Sequence, residues 1–401
     1  MMTARVHRHA VPAGLDEAHA MGRGGAGPAA VLRSDEVSRH AVRLVVVDPG
    51  PDLGSDAPPR LEPFAALPRL LRAGDLVVVN DAATLPGSLP GQTAAGSVFE
   101  LRLSGPVDPT GPMGSTGEDP RPAGKAVGGT PPRDRASPID AGRLVGVLLG
   151  PGDHRTRTEH RPPPPRLVPG ERVTIAGMAA MVVSASGRRV ELAVHGDADT
   201  LWQVLYAAGA PVQYAHRHEP LPLWSVQAAY AGRPWAAEMP SAGRPLTWEI
   251  LLGLRRAGIA VASLTHAAGL SSTGDDALDR ALPWPERYEI PRRTIDAIDE
   301  ARARGGRVIA VGTTVVRALE AAAQDGAPRA GSHVATLRLD PGYRPRIVSG
   351  LVSGLHVPGE SHFELLSAFA PAGQLDRAIA LAAEHGLSSH ELGDACLIVP
   401  A

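Results

Sequence analysis

The chain has 401 residues, is 43% hydrophobic and carries a formal net charge of −2. This length predicts about two or three domains around a large core, and the near-neutral charge argues against a DNA-binding protein, which would carry a basic excess. A single cysteine, Cys396, and a single lysine, Lys125, argue against disulfides, a cysteine zinc site and lysine Schiff-base chemistry. Without an apolar leader or a run long enough to span a membrane, the chain is expected to be cytoplasmic and to bind no membrane.

The N-terminal part predicts a tail followed by the first elements of a sheet. Residues 1–30 are rich in Gly, Ala and His without periodicity, which is typical of a disordered tail. The next predicted elements are two strands and the helix between them, at 41–48, 75–81 and 64–71. The second strand ends in Asn80 and Asp81. A polar pair at the carboxyl end of a strand often faces a ligand, although turn capping is the simpler role.

Residues 85–199 differ in character from the rest of the chain. Short apolar segments separated by Gly and Pro at hairpin spacing predict a small antiparallel β-barrel inserted into the main domain. Its predicted strands lie at 98–103, 143–149, 171–175, 180–184 and 189–194. Residues 104–142 are dense in Pro, Gly, Ser and Thr and predict a flexible loop within this barrel domain.

The flanking segments, 31–84 and 200–401, predict one discontinuous α/β main domain. Helices and strands alternate there, which favours a mainly parallel sheet flanked by helices. Helices are predicted at 200–208, 248–257, 291–304, 363–369 and 375–384, the third with Pro291 as its first residue. Strands are predicted at 259–265, 308–311, 332–339, 346–352 and 396–399.

The stretch 305–320, GGRVIAVGTTVVRALE, is the first candidate for a ligand site. A β-branched apolar strand is followed by Gly312 and then by Thr313 and Thr314, whose side chains are suited to cap a helix. The free amides at a helix start can bind an anion, and Arg317 in the first turn would add a positive charge. The alternative is that Gly312 only permits close packing of a strand-to-helix turn.

Several further segments form a pattern with this stretch. They are AGDLVVVND (73–81), GLVSGLHVP (350–358), LLSAF (365–369) and GDACLIV (393–399), with VQAAYA (226–231) and PSAGRPLT (240–247) as weaker matches. In order and spacing they resemble the S-adenosylmethionine:tRNA ribosyltransferase-isomerase family of queuosine biosynthesis, from about residue 31 to the C-terminus. The long match in 305–320 is the specific one, and the others support it.

The resemblance implies an α/β domain split in sequence by a small β-barrel. It also implies a reaction that moves the ribosyl part of S-adenosylmethionine to a 7-aminomethyl-7-deazaguanine base in tRNA, giving epoxyqueuosine and releasing adenine and methionine. S-adenosylmethionine is then a co-substrate, no cofactor or metal is expected, and the tRNA anticodon loop is a possible partner. Such chemistry needs a base, an acid and a fixed pocket for the methionine group.

The resemblance also implies roles for particular residues. His266 and His356 each follow a predicted strand and match family histidines, so they are candidates for acid–base catalysis together with Asp81. The implied substrate-binding residues are Asn80, Gly312, Thr313, Thr314, Arg317, Ser241, Gly243 and Asp394. The alternatives are loop hydrogen bonding for the histidines, turn capping for the carboxylates and a surface ion pair for Arg317.

The chain departs from the family pattern at several polar loop positions and resembles a diverged member. Ala82 and Ala83 follow Asp81 where the family has Thr-Arg, and Glu238 and Arg244 in an altered loop are candidates for new substrate contacts. Two alternatives therefore stay open, a relative that uses S-adenosylmethionine on a small acceptor and a non-catalytic binding protein. An RNA contact would need local arginines and aromatic rings, for which the candidates are Arg287, Arg292, Arg293, Tyr230, Trp235 and Trp284.

Overall fold

The computed structural model describes residues 38–50, 53–104, 142–196, 198–215, 219–356, 361–389 and 392–400. The tail predicted at 1–30 lies outside the described residues, and so does the loop predicted at 104–142 except for its two end residues. The described residues belong to one compact unit, Leu32–Ala401.

The described residues form seventeen strands, of which six make up the barrel. In chain order they are β1 (Arg43–Val47), β2 (Arg60–Pro63), β3 (Leu76–Asn80), β4 (Ala82–Thr84), β5 (Ser88–Thr93), β6 (Val98–Leu103), β7 (Arg143–Leu149), β8 (Arg172–Ile175), β9 (Met178–Ser186), β10 (Arg189–Val194), β11 (Arg233–Ala236), β12 (Ala260–His266), β13 (Glu286–Ile290), β14 (Val308–Val311), β15 (Gly331–Ala335), β16 (Gly350–Gly354) and β17 (Ala395–Ile398).

The helices lie mostly outside the barrel. They are α1 (Leu67–Leu70), α2 (Ala198–Ala208), α3 (Trp248–Arg256), α4 (Asp276–Asp279), α5 (Arg292–Ala303), α6 (Thr313–Ala322), α7 (Ser361–Leu366) and α8 (Ala372–Glu384). Short 3-10 helices lie at Phe64–Ala66, Thr158–His160, Leu223–Val226 and Ser241–Gly243. In the part of the chain that is described, no helix is both long and apolar enough to cross a membrane.

A large sheet of nine strands occupies the centre of the described main domain, in the order β15-β13-β12-β3-β14-β16-β17-β1-β2. Strands β3 and β14 are buried along their whole length, as their continuous apolar sequences predict. Pairing is parallel from β12 through β3 and β14 to β16, and again between β17 and β1. The remaining four pairings are antiparallel. The predicted α/β sheet is confirmed, but the sheet is mixed, with its parallel part at the centre.

The inserted barrel is confirmed as a closed antiparallel structure, in the order β10-β7-β6-β5-β8-β9. Strand β5 was not among the predicted strands, because its sequence SLPGQT contains Pro90 and Gly91. A side chain at Gly91 would collide with the ring of Phe99, which a Cβ would approach to 2.3 Å. The barrel strands run from Ser88 to Val194, within the predicted 85–199, whose boundaries stay a prediction.

Several helix starts differ from the prediction. Helix α5 begins at Arg292 with Pro291 as its N-cap, so Pro291 is not the first helical residue. The N-cap of α6 is Gly312, with φ at 93°, and no side chain caps this helix. Thr313 and Thr314 are instead the first two helical residues, because Gly312 readily adopts the positive φ of the turn.

Two strands are displaced from their predicted positions because side chains occupy the backbone groups that a strand would use. Strand β16 starts at Gly350 and not at residue 346. The amides of Arg346, Ile347 and Val348 donate to the buried carboxylate of Glu320 at 2.8 to 3.0 Å. Strand β15 ends at Ala335 and not at residue 339. The buried guanidinium of Arg317 donates to the carbonyls of Ala335 and Leu337 in this segment.

Candidate functional site

Four neighbouring parallel strands, β12, β3, β14 and β16, end at the same edge of the sheet, which we call the carboxyl edge. Asn80, at the end of β3, is the link between them. Its side-chain amide donates to the carbonyl of His266 at 3.0 Å and to Oγ1 of Thr314 at 3.5 Å. Its carbonyl accepts the amides of His266 at 2.8 Å and Ala82 at 3.1 Å. Asn80 therefore fixes the end of β12 against the start of α6.

In this arrangement the segment that ends in Asn80 and the stretch around Gly312 meet at one edge of the sheet. Among the implied substrate-binding residues it brings together Asn80, Thr314 and Gly312. A Cβ at Gly312 would lie 3.8 Å from the Cβ of Ala242, an ordinary contact distance, so the Ser241–Gly243 turn lies beside the start of α6. The glycine is needed for its positive φ of 93° and not for space.

Asp81 lies beside this link, and its carboxylate is occupied by protein hydroxyl groups. Oδ2 accepts from the hydroxyl of Ser263 at 2.8 Å and Oδ1 from that of Thr265 at 2.5 Å. Burial and the charge of Asp81 raise the pKa of the Tyr230 phenol above its usual value. The hydroxyl of Tyr230 lies 3.5 Å from the carbonyl of Gly243. Asp81 is therefore positioned by hydroxyl groups of β12, and its charge acts on a phenol that contacts the Ser241–Gly243 turn.

His266 is fully buried at the end of β12, with 0% of its surface exposed. Neither ring nitrogen has a hydrogen-bond partner among the described residues. Nε2 lies 3.5 Å from Oε2 of Glu286, a contact that falls short of a directed hydrogen bond. Burial, and to a smaller extent the charge of Arg317, hold the pKa of His266 well below its ordinary value of 6.5. The imidazole is therefore neutral at pH 7.

Glu286 and Arg317 form a buried ion pair next to this imidazole. Oε1 of Glu286 also accepts the amide of Gly269 at 2.6 Å. The remaining Arg317 donors bind backbone carbonyls at 3.2 to 3.3 Å, those of Leu337, Trp284 and Ala335. With its donors engaged in this way, Arg317 has no geometric support as a ligand for a substrate anion in this state.

The position of Arg317 also corrects two expectations. It is the fifth residue of α6, so it lies beyond the first turn. Only 5% of its surface is exposed, so the alternative of a surface ion pair is wrong. The Arg317 side chain extends from α6 to β13 and β15 and stabilises the packing of these elements. It does not point to a ligand at the start of α6.

Asp394 and Ser241 line a small cleft at the carboxyl edge, together with Gly354 at the end of β16. Asp394 is buried and accepts the amides of Arg43 at 2.7 Å and Ser388 at 2.9 Å. It also forms an ion pair with the Arg43 guanidinium at 3.2 Å. These contacts hold the start of β1 beside the start of β17. Gly243 does not line the cleft; a Cβ there would lie 2.2 Å from the Tyr230 hydroxyl.

His356 lies in a second and mainly apolar cleft, which also includes Gly354 and Cys396. Its ring stacks on that of His362, with 4.8 Å between the ring centroids. His266 is not among the residues that line this cleft. No cluster of three His, Cys, Asp or Glu side chains that could hold a metal ion is found where the structure describes the chain.

The comparisons with known proteins decide the family. A family model described as "Queuosine biosynthesis protein" matches residues 29–398. The chain belongs to this family. A relative named S-adenosylmethionine:tRNA ribosyltransferase-isomerase from Synechococcus elongatus is 32% identical over 343 residues, 84% of this chain and 85% of the relative. Another of that name from Anaeromyxobacter sp. (strain K) is 32% identical over 374 residues, 92% of this chain and 95% of the relative.

A solved structure of an S-adenosylmethionine tRNA ribosyltransferase from Thermotoga maritima is also similar. It is 20% identical, covers 92% of this chain and 96% of its own, and superposes with a TM-score of 0.45. The family model and the two relatives confirm the resemblance of the sequence to queuosine biosynthesis enzymes at the level of the family.

Two carboxylates near the carboxyl edge of this family member have contacts that the sequence did not indicate. Glu286 begins β13 and reaches Arg317, which is 31 positions away in the chain, so no local pattern marked it. Glu238, a candidate for a new substrate contact, accepts from Ser271 and from the hydroxyl of Tyr214. Burial is the main cause of the raised pKa of Glu238. The one local signal was that Glu286 is a charged residue at the first position of a short strand.

The lowered pKa of His266 predicts a pH-dependent loss of stability. Its folded pKa lies below the unfolded value of about 6.5, so as pH falls the unfolded state takes up the proton first. Stability should be fully present above pH about 6.5 and lost below it, by at most about 1.4 kcal/mol per pH unit for this one group. We expect His266→Gln to lose less stability than the native protein when the pH is lowered from about 7.5 to about 5.5, because it lacks the group that takes up a proton on unfolding. Urea unfolding at both pH values measures the difference, and equal losses would contradict the prediction.

Proposed function

We propose that this protein is an S-adenosylmethionine:tRNA ribosyltransferase-isomerase. It transfers the ribosyl part of S-adenosylmethionine to a 7-aminomethyl-7-deazaguanine base in tRNA, giving epoxyqueuosine and releasing adenine and methionine. The observation that carries the proposal is the family match over residues 29–398, supported by the contacts between its matched segments at the carboxyl edge. S-adenosylmethionine serves as a co-substrate without a further cofactor, and the proposed location is the cytoplasm.

The geometry supports a division of roles along the carboxyl edge. The start of α6 presents the amides of Thr313 and Thr314, which suit the carboxylate of the methionine group. Asp81, held by β12, is suited to ribose hydroxyls, and the cleft with Ser241 and Asp394 extends this surface. A neutral His266 is suited to accept a proton at neutral pH. His356 lies in the neighbouring cleft and is proposed to contact the leaving group or the acceptor.

One incubation separates the proposal from its alternatives. The protein is mixed with S-adenosylmethionine, with and without tRNA that carries the deazaguanine base, and free adenine and methionine are measured. Adenine release that requires this tRNA supports the proposal. If adenine is released at the same rate without tRNA, the acceptor is a small molecule. If no adenine is released but calorimetry shows that S-adenosylmethionine binds, the protein is a non-catalytic binding protein.

The surface aromatic residue best suited to an RNA base is Trp224. Of the stacking candidates from the sequence, Trp235 is buried and has Arg287 over its ring at 4.4 Å. Trp284 is covered by Arg189 at 4.6 Å. Trp224 is 77% exposed, and Arg39 donates to the carbonyl of the adjacent Ser225 at 2.9 Å. An exposed ring in a segment whose backbone is held by an arginine fits the way that single-stranded loops are bound, by stacking of a base on an aromatic side chain.

Replacing Trp224 by alanine is therefore expected to weaken RNA binding by about 1–3 kcal/mol, the value of one base stacked on an aromatic ring. Filter binding with an anticodon stem-loop that carries the deazaguanine base, at low and moderate salt, measures the affinity. The matched control is Tyr206→Ala, because Tyr206 is also exposed but lies on α2, next to the barrel. Equal losses in both variants, or none in Trp224→Ala, would remove Trp224 from the RNA contact.

A further inference from the structure

The starting observation is an imidazole that is buried without hydrogen bonds. Both ring nitrogens of His266 lack a partner among the described residues, while its backbone N–H and C=O are both bound by Asn80. A buried polar atom without a partner costs about 1–3 kcal/mol, and such groups in native proteins call for a physical reason. Since the strand end is fixed so firmly, the position of this ring is set by the fold.

The neighbouring carboxylate favours a proton on the ring nitrogen that faces it, through its charge and not through a hydrogen bond. Oε2 of Glu286 lies 3.5 Å from Nε2 of His266. A carboxylate is only an acceptor, so Nε2 faces it favourably only as N–H. In a neutral imidazole the other nitrogen, Nδ1, then has no proton and is an acceptor.

Glu286 cannot turn away from the imidazole, because both of its oxygens are engaged. Oε1 binds the amide of Gly269 at 2.6 Å, and Oε2 is paired with Arg317. Arg317 is in turn fixed by the carbonyls of Leu337, Trp284 and Ala335. Burial, and to a smaller extent the charge of Arg317, keep the imidazole neutral, so one of its ring nitrogens carries no proton and can accept one.

We infer that Glu286, anchored by Arg317, is a positioning residue that holds His266 with its proton on Nε2 and leaves Nδ1 as the proton acceptor of the reaction. This inference rests on the proposed function. In the step it serves, the C–H bond beside the sulfonium breaks, its proton forms the new Nδ1–H bond, and its electron pair stays on the carbon next to the positive sulfur. The imidazolium that results keeps Nε2–H directed at Glu286, which offsets the new charge.

The first test is the tautomer of His266 in the free protein, which needs no activity. The native protein is labelled with ¹⁵N-histidine, and the His266 signals are assigned as those missing from His266→Gln. We expect one neutral tautomer at pH 7, with the proton on Nε2. In Glu286→Leu, which removes the acceptor, the tautomer with the proton on Nδ1 should gain population. A native signal from Nδ1–H, or a mixture of tautomers in the native protein, overturns the inference even if the leucine variant fails to fold.

The second test asks whether Nδ1 faces the substrate and whether Glu286 acts through His266. Addition of S-adenosylhomocysteine, an unreactive analogue, should shift the Nδ1 signal, and an unchanged signal contradicts the proposed role. Glu286→Gln should lower kcat for adenine release at least about tenfold, as expected when the partner that orients a histidine is altered. KM for S-adenosylmethionine should stay close to the native value.

The control for the second test is Glu289→Gln in the same strand. Glu289 pairs with Arg233, with an N–O distance of 2.8 Å, and not with His266, so this variant should keep the native kcat. Loss of kcat in both variants, or a change confined to KM in Glu286→Gln, overturns the positioning role. If the native protein releases no adenine with any acceptor, the proposed function fails, while the tautomer experiment still decides the arrangement of the pair.

Discussion

Replacing Arg317 by methionine is expected to lower the free energy of unfolding by about 3–5 kcal/mol, because it leaves the carboxylate of Glu286 buried without its charged partner. The side chain of Arg317 is 7% exposed and that of Glu286 is 12% exposed, so water replaces little of the lost interaction. The change also leaves three backbone carbonyls without their guanidinium donor. Urea unfolding followed by circular dichroism measures the loss.

A matched control separates burial from ion pairing as such. Arg292 forms a pair with Asp296 at 2.8 Å on the surface of α5, where 78% of the arginine side chain is exposed. Arg292→Met should therefore change stability by about 0.5 kcal/mol or less. The double variant Arg317→Met, Glu286→Gln should recover part of the loss, since no charge is left buried alone. A loss below about 1 kcal/mol in Arg317→Met, within the range of surface pairs, would show that the pair is solvated.

Replacing His266 by glutamine is expected to lower the rate of tRNA-dependent adenine release by about 10²–10⁴-fold, the usual contribution of a positioned proton acceptor. The binding of S-adenosylmethionine should be retained, because the strand end is held through the backbone of His266 and Asn80 and not through the imidazole. Single-turnover measurement of adenine release, with calorimetry for binding, distinguishes the two effects.

The control for this variant is His333→Gln. His333 is exposed on β15, with its ring 5.8 Å from that of Tyr288, and it should keep the native rate. His356→Gln is the informative comparison, because the sequence implied a catalytic role for both His266 and His356. A larger loss in His356→Gln than in His266→Gln would move the proton acceptor to the cleft at the end of β16.

Much of the fold was predictable because local signals agreed with the tertiary structure. Continuous apolar runs such as the one at Val308–Val311 became buried parallel strands, and hairpin spacing gave the barrel. The strand boundaries were wrong where a side chain distant in sequence binds the backbone groups that a strand would use. Glu320 binds the amides of residues 346–348, and no pattern within that segment reveals a carboxylate 26 to 28 positions earlier.

The site was only partly predictable for the same reason. The polar ends of β3 and β12 and the glycine turn before α6 are local features, so the sequence indicated that Asn80, His266 and Gly312 belong to a site. The partners of these residues are not local. Arg317 was assigned to a ligand because it follows a glycine turn, but its guanidinium pairs with Glu286, and the two come together only when β13 packs beside α6.

The position of β17 in the sheet has a consequence for the order of folding. Strands β1 and β2 join the rest of the sheet only through β17, which lies between β16 and β1. The hydrogen bond from Arg43 to Asp394 closes a loop of 351 positions, whereas the barrel strands pair within Ser88–Val194. Long loops close slowly. During synthesis on the ribosome, the barrel is therefore expected to gain protection from hydrogen exchange before β1 pairs with β17. Until β17 arrives, the apolar face of β1 depends on chaperones or on its hairpin with β2 for cover.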